Sequence, residues 1–151
     1  MESLSLRDQF NELLHEAMKK KDEVSRDTMR MVLTNLKLAE VEKKQALDET
    51  AILSLIQKEI KSRHESIEDF KKGNRADLVE RAEAEIKVLE QFLPKQLTDA
   101  EVKTIVQTTI AEVNAVAISD MGKVMKAALP KLHGQAASDR VSAIVKELLQ
   151  K

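Results

Sequence analysis

The apolar residues of this chain recur three and four positions apart, and no segment alternates two by two over a sustained run. A helix turns once in about 3.6 residues, so this spacing gathers apolar side chains on one face, whereas a half-buried strand needs period two. The spacing predicts helix after helix and an all-α, multihelical fold. Leu6, Phe10 and Ala17 start the first stripe, and Met29, Val32 and Leu36 the second. A third runs from Ile52 to Phe70, and a fourth from Leu78 to Leu93. Pro94 stops that fourth helix. Val102, Val106 and Ile110 begin a fifth, Met121, Val124, Met125 and Ala128 a sixth, and Val141, Ile144, Val145 and Leu148 a seventh. Residues 1–94 therefore read as a four-helix body and residues 95–151 as a small three-helix tail.

Helix ends are written in the sequence too. Asp22 and Asp48 are placed to cap the second and third helices, and Asn74, after Gly73, the fourth. Thr98-Asp99-Ala100-Glu101 is a capping box, with Leu97 and Val102 spaced as a hydrophobic staple. In the sixth helix Pro130 discourages further turns, and Gly134 allows positive φ. The basic run Lys19-Lys20-Lys21 suits a helix C-terminus.

Composition narrows the chemistry. With 34% charged residues against 42% hydrophobic ones, no run approaches the ~20 apolar residues that a membrane span needs. The absence of cysteine removes disulfides, thiol nucleophiles and cysteine-bound zinc. Met1-Glu2-Ser3-Leu4 lacks the basic and apolar regions of a signal peptide, and a cytoplasmic protein is expected. His15, His64 and His133 stand apart, without the spacing of a metal face, and no P-loop, dinucleotide fingerprint or nucleophile elbow occurs. Neither a cofactor nor a metal is expected. The aromatic residues are Phe10, Phe70 and Phe92, each on an apolar stripe, which leaves no stacking platform for single-stranded nucleic acid. Any RNA would be recognised through phosphate and shape.

Two polar features stand out. At 100° per residue, Glu59, Arg63 and Ser66 lie within about 40° of the apolar stripe of the third helix, as Glu85 does in the fourth and Glu40 in the second. Buried charges must be paired, so the spacing predicts an Arg63-centred bridge to Glu59, Glu85 or Glu40 that fixes helix register. The functional counterpart is a carboxylate pair with an arginine clamp, but no histidine, nucleophile or glycine-rich loop joins it. The second feature is an uneven charge distribution. Residues 1–119 hold 19 basic and 23 acidic residues, residues 120–151 six and three, so the end of the chain is basic on an acidic body. That is a phosphate-facing surface or a solvated helix face.

The run Asp120-Met121-Gly122-Lys123-Val124-Met125, followed by Gly134-Gln135-Ala136 and an apolar last helix, resembles the tail motif of the GatB/YqeY family. Arg30-Met31-Val32, Arg63-His64-Glu65-Ser66, Asn74-Arg75-Ala76-Asp77-Leu78 and Phe92-Leu93-Pro94-Lys95-Gln96-Leu97 extend the resemblance upstream, to free-standing YqeY proteins. Where the family carries an acidic residue after the motif alanine, this chain has Ala137-Ser138, with Ser138 placed to cap the last helix.

The resemblance implies an accessory protein of tRNA-dependent amidation. It would bind tRNA or an amidotransferase complex through the tail surface of Gly122, Lys123, Lys126, Lys131 and Gly134. A helical protein-interaction module without RNA binding is the alternative. So is carbon–nitrogen ligase activity in association with other subunits, although no catalytic constellation is visible. Gly122 falls in the first turn of its helix, where it either lets a phosphate approach or packs closely against a neighbouring helix.

Overall fold

The computed structural model describes residues 4–150. The reading of Met1, Glu2 and Ser3 as lacking a signal peptide lies outside these residues. Among them the chain forms seven α-helices and one 3-10 turn, with no strand. By contacts it divides into two compact units, residues 1–93 and 94–151.

The first unit holds α1 (Leu6–Lys20), α2 (Glu23–Lys43), α3 (Glu49–Lys72) and α4 (Ala76–Glu90). Side-chain oxygens cap three of them: Ser5 accepts from the Asp8 N–H, Asp22 from Ser25 and Asp48 from Ala51. α1 lies along α2, while α4 packs against both α3 and α2. The core is Leu6, Phe10, Met29, Val32, Leu36, Ile52, Ile56 and Leu89, with a smaller cluster of Ile67, Ala82 and Ile86 towards the α3–α4 turn. The Phe10 and Phe92 rings meet edge to face, 4.9 Å between centroids, a favoured aromatic geometry.

Asn74 corrects the expected start of α4. It sits at φ 55° and belongs to the end of α3, where the Arg75 N–H reaches back to the Phe70 carbonyl at 2.9 Å. Asparagine tolerates that left-handed conformation better than most residues. Arg75 is the actual N-cap; no side chain caps α4, and the Arg75 guanidinium grips Asp77 instead.

The second unit holds α5 (Asp99–Val113), a 3-10 turn (Ile118–Asp120), α6 (Met121–Leu132) and α7 (Ser138–Leu149). The Thr98–Glu101 capping box is formed. Each helix packs against the other two around Val102, Val106, Val124, Leu132, Val141 and Val145.

Two expectations fail here. Pro130 does not end α6, because the fully buried Leu132, two residues on, holds the last turn in place although the proline N–H is missing. His133 (φ 43°) and Gly134 (φ 76°) then turn the chain. Ser138 is the first residue of α7 rather than its cap; Ala137 precedes it and offers no side-chain acceptor.

Candidate functional site

The approach to α6 is a stiff loop. Asn114 closes α5 in the left-handed conformation, and Ala115, buried, bonds back to the Ile110 carbonyl. The Asp120 carboxylate then accepts the N–H of Val116 at 2.9 Å and of Ala117 at 3.3 Å. These two backbone donors, with a smaller contribution from Lys123, hold Asp120 below the usual carboxylate range.

Beyond the loop, Gly122, Lys123 and Lys126 lie exposed on the first turns of α6. A side chain at Gly122 would meet nothing within 4 Å, so helix packing does not account for this glycine. Among the described residues, Lys123 and Lys126 make no ion pair.

Lys131 and Gly134 are placed differently from expectation. Gly122 and Lys131 stand nine positions apart, roughly 13 Å along a helix, so the five residues do not form one spot. The Lys131 ammonium is joined to Glu112 at 2.5 Å and to the Thr109 hydroxyl at 3.1 Å, both on α5. Gly134 supplies the turn, and its carbonyl accepts from the Gln96 amide at 3.0 Å. Beside it the Gln135 carbonyl accepts the Leu97 N–H at 2.9 Å. Arg140 ties the same segment through the Leu97 carbonyl and, at 3.2 Å, Asp99. The glycine–glutamine motif therefore anchors residues 96–97 to the α6–α7 turn. Spacing gives no sign of this, because the partners stand 38 positions apart or more.

In the first unit, Arg63 is buried between two half-buried carboxylates. Its Nη1 meets Glu59 Oε2 at 2.7 Å, and its Nε lies 3.8 Å from Glu85 Oε1. Asn35 donates to the other Glu59 oxygen at 2.6 Å, and Nη2 reaches the Met31 sulfur at 3.2 Å. Helices α2, α3 and α4 are thus linked through one guanidinium. These groups line a cleft of about 360 Å³ together with Ser62, Ser66 and Phe70. Its lining has no histidine, and nowhere among the described residues do three potential ligands gather for a metal. Glu40 takes no part. Arg7 of α1 pairs with it, and it also accepts the Leu47 N–H at 2.7 Å. Sequence spacing could rank Glu40 as a candidate for Arg63 because it carries no information on which helix lies opposite.

The chain is thus an all-α helical protein, four helices followed by a three-helix unit whose α6 opens on an exposed glycine and two exposed lysines. The chain belongs to the family described as Yqey-like protein, whose family model matches residues 7–149. It is 35% identical over 127 residues to "Altered inheritance of mitochondria protein 41, mitochondrial" of Lachancea thermotolerans, covering 82% of this chain and 66% of that protein. The protein of the same name from Pyrenophora tritici-repentis is 30% identical over 144 residues, covering 90% and 76%. That from Kluyveromyces lactis is 40% identical over 80 residues, covering 52% and 43%.

These relatives overturn the expectation of a cytoplasmic protein, since all three are named as mitochondrial. The composition behind that expectation constrains thiol chemistry and membrane spanning, and neither reports a compartment. Among the described residues, no helix is long and apolar enough to cross a membrane.

Proposed function

We propose that the chain is an accessory protein that binds folded RNA of the tRNA class, alone or docked on an amidotransferase, through the start of α6. The observation that carries the reading is the open Gly122 beside two exposed, unpaired lysines. Glycine in a helix is less stable than alanine by about 0.5–1 kcal/mol, and here neither packing nor a positive φ calls for it. A surface that must admit a phosphate close to the backbone does call for it. Lys123 and Lys126 project beside it as exposed cations, Lys123 also facing the Asp120 carboxylate. Lys131 and Gly134 are left out of the contact set, since both are engaged within the unit.

The test is binding of the full chain to tRNA across a salt series. Lys123→Ala and Lys126→Ala should each weaken binding to all RNAs alike and lower the salt slope by about one. Stability should stay within about 0.5 kcal/mol of wild type. Undetectable binding at low salt, or an equal loss on Lys87→Glu in the first unit, would sink the reading.

A specific observation supports the second reading, a protein-interaction module. Met31, Leu38 and Val41 are 47%, 61% and 67% exposed along α2. If RNA binding fails, this face is where a partner protein should be sought.

A further inference from the structure

Arg63 carries more hydrogen-bond donors than its surroundings accept. Its side chain is 9% exposed, and Nη1 donates to Glu59, at 2.7 Å to the carboxylate and 3.2 Å to the backbone carbonyl. Nε is buried without a hydrogen-bond partner, since Glu85 Oε1 stays 3.8 Å away. Nη2 faces the Met31 sulfur at 3.2 Å, and a thioether is a weak acceptor. A buried cation short of acceptors lowers stability. Met31 itself is open to water, 47% exposed against 49% for Met18, whereas Met29 on the same helix is fully buried. Among the described residues no donor bonds to the Met18 sulfur.

We propose that Met31 is a reversible oxidation site whose sulfoxide is held by Arg63. The oxidant is hydrogen peroxide. The sulfur lone pair attacks one peroxide oxygen, and the O–O bond breaks as the S–O bond forms. The departing hydroxide takes the proton of the transferred oxygen and leaves as water; sulfur has lost two electrons and the peroxide has gained them. A thiol-dependent methionine sulfoxide reductase reverses the step, two thiols becoming a disulfide while the oxygen leaves as water. Methionine sulfoxide is polar and ordinarily disrupts the packing around it. At Met31 the effect has the opposite sign. The new oxygen accepts far better than sulfur, and the cleft of about 360 Å³ that Met31 and Arg63 both line has room for it. Three rotatable bonds let the side chain aim that oxygen at Nη2 or Nε. Oxidation thus supplies the acceptor that Arg63 lacks and ties α2 more tightly to α3.

The full chain is treated with dilute hydrogen peroxide, and its peptides are mapped by mass. Met31 should gain one oxygen at the dose that oxidises Met18, and Met29 should not. Melting is then followed in the full chain carrying Met18→Leu, so that oxidation of Met18 does not contribute. Its melting temperature should rise by about 2–4 °C on oxidation, and return after treatment with sulfoxide reductases and dithiothreitol. The rise should be absent when Met31→Leu is added. Met31→Gln places an amide oxygen at a similar reach, so it should melt above wild type before any treatment and gain nothing from peroxide. Met31 left reduced while Met18 is oxidised overturns the proposal. So does a melting temperature that stays level or falls once Met31 is oxidised, or an equal rise in the chain that lacks Met31.

Discussion

Lys131 on α6 and Glu112 on α5 meet head to head, Nζ to Oε2 at 2.5 Å, with the Thr109 hydroxyl completing the contact. The lysine charge is thereby engaged inside the tail unit. Lys131→Ala should leave the salt slope of RNA binding as in wild type and lower stability by no more than about 1 kcal/mol, because water reaches both partners of the pair and screens it. A drop in slope equal to that of Lys123→Ala would return Lys131 to the binding surface.

Arg63 is the opposite case. Its removal leaves the Glu59 and Glu85 carboxylates, each 17% exposed, without their cation. Arg63→Ala should destabilise by about 3–5 kcal/mol. Arg63→Met combined with Glu59→Leu and Glu85→Leu should recover much of this, as apolar replacement of a buried ionic group often does. Chemical denaturation decides; a loss below about 0.5 kcal/mol for the single variant would rule out a buried bridge.

Asp120 links stability to pH. Its folded pKa is depressed by the Val116 and Ala117 N–H groups. It therefore stabilises above the ordinary carboxylate pKa of about 4, and the effect fades as pH falls through the lower folded value. The melting temperature of Asp120→Asn should lie furthest below wild type near neutrality and approach it in acid. A gap that stays constant from neutral to acid pH would show that the carboxylate charge plays no part.

The two units have separate cores: residues from Leu6 to Leu89 build those of the first, and Val102 to Leu149 that of the second. Each fragment, residues 1–93 and 94–151, should fold when expressed alone. The second, at roughly 60 residues, is near the lower size for unaided folding. Dispersed amide resonances in both fragments are expected, and a collapsed spectrum for either would show that it needs the other.

Helix identity was legible because it depends on local spacing and local caps: Asp22, Asp48 and the Thr98–Glu101 box all act within three residues. The stripe of α3 likewise marks Arg63 as inward-facing from spacing alone. Its neighbours could not be read so directly. Arg7 captures Glu40 across 33 positions, and Asn35 reaches Glu59 across 24. The same limit hid the engagement of Lys131 and the anchoring by Gly134. Pro130 misled for a different reason: a proline rule is local, whereas burial of Leu132 is a tertiary effect that overrides it.

Five of the seven α-helices among the described residues end at a residue other than glycine in the left-handed region: Lys21, Lys44, Asn74, Asn114 and His133. For lysine and histidine that conformation costs about 1–2 kcal/mol, part of which glycine would regain after its greater freedom when unfolded is subtracted. Lys21→Gly, Lys44→Gly and His133→Gly thus give a route to a more heat-resistant protein through its helix ends. None alters a core side chain, the Arg63 bridge or the lysines that open α6, so a thermostabilised variant is a scaffold on which the proposed binding surface can be varied freely.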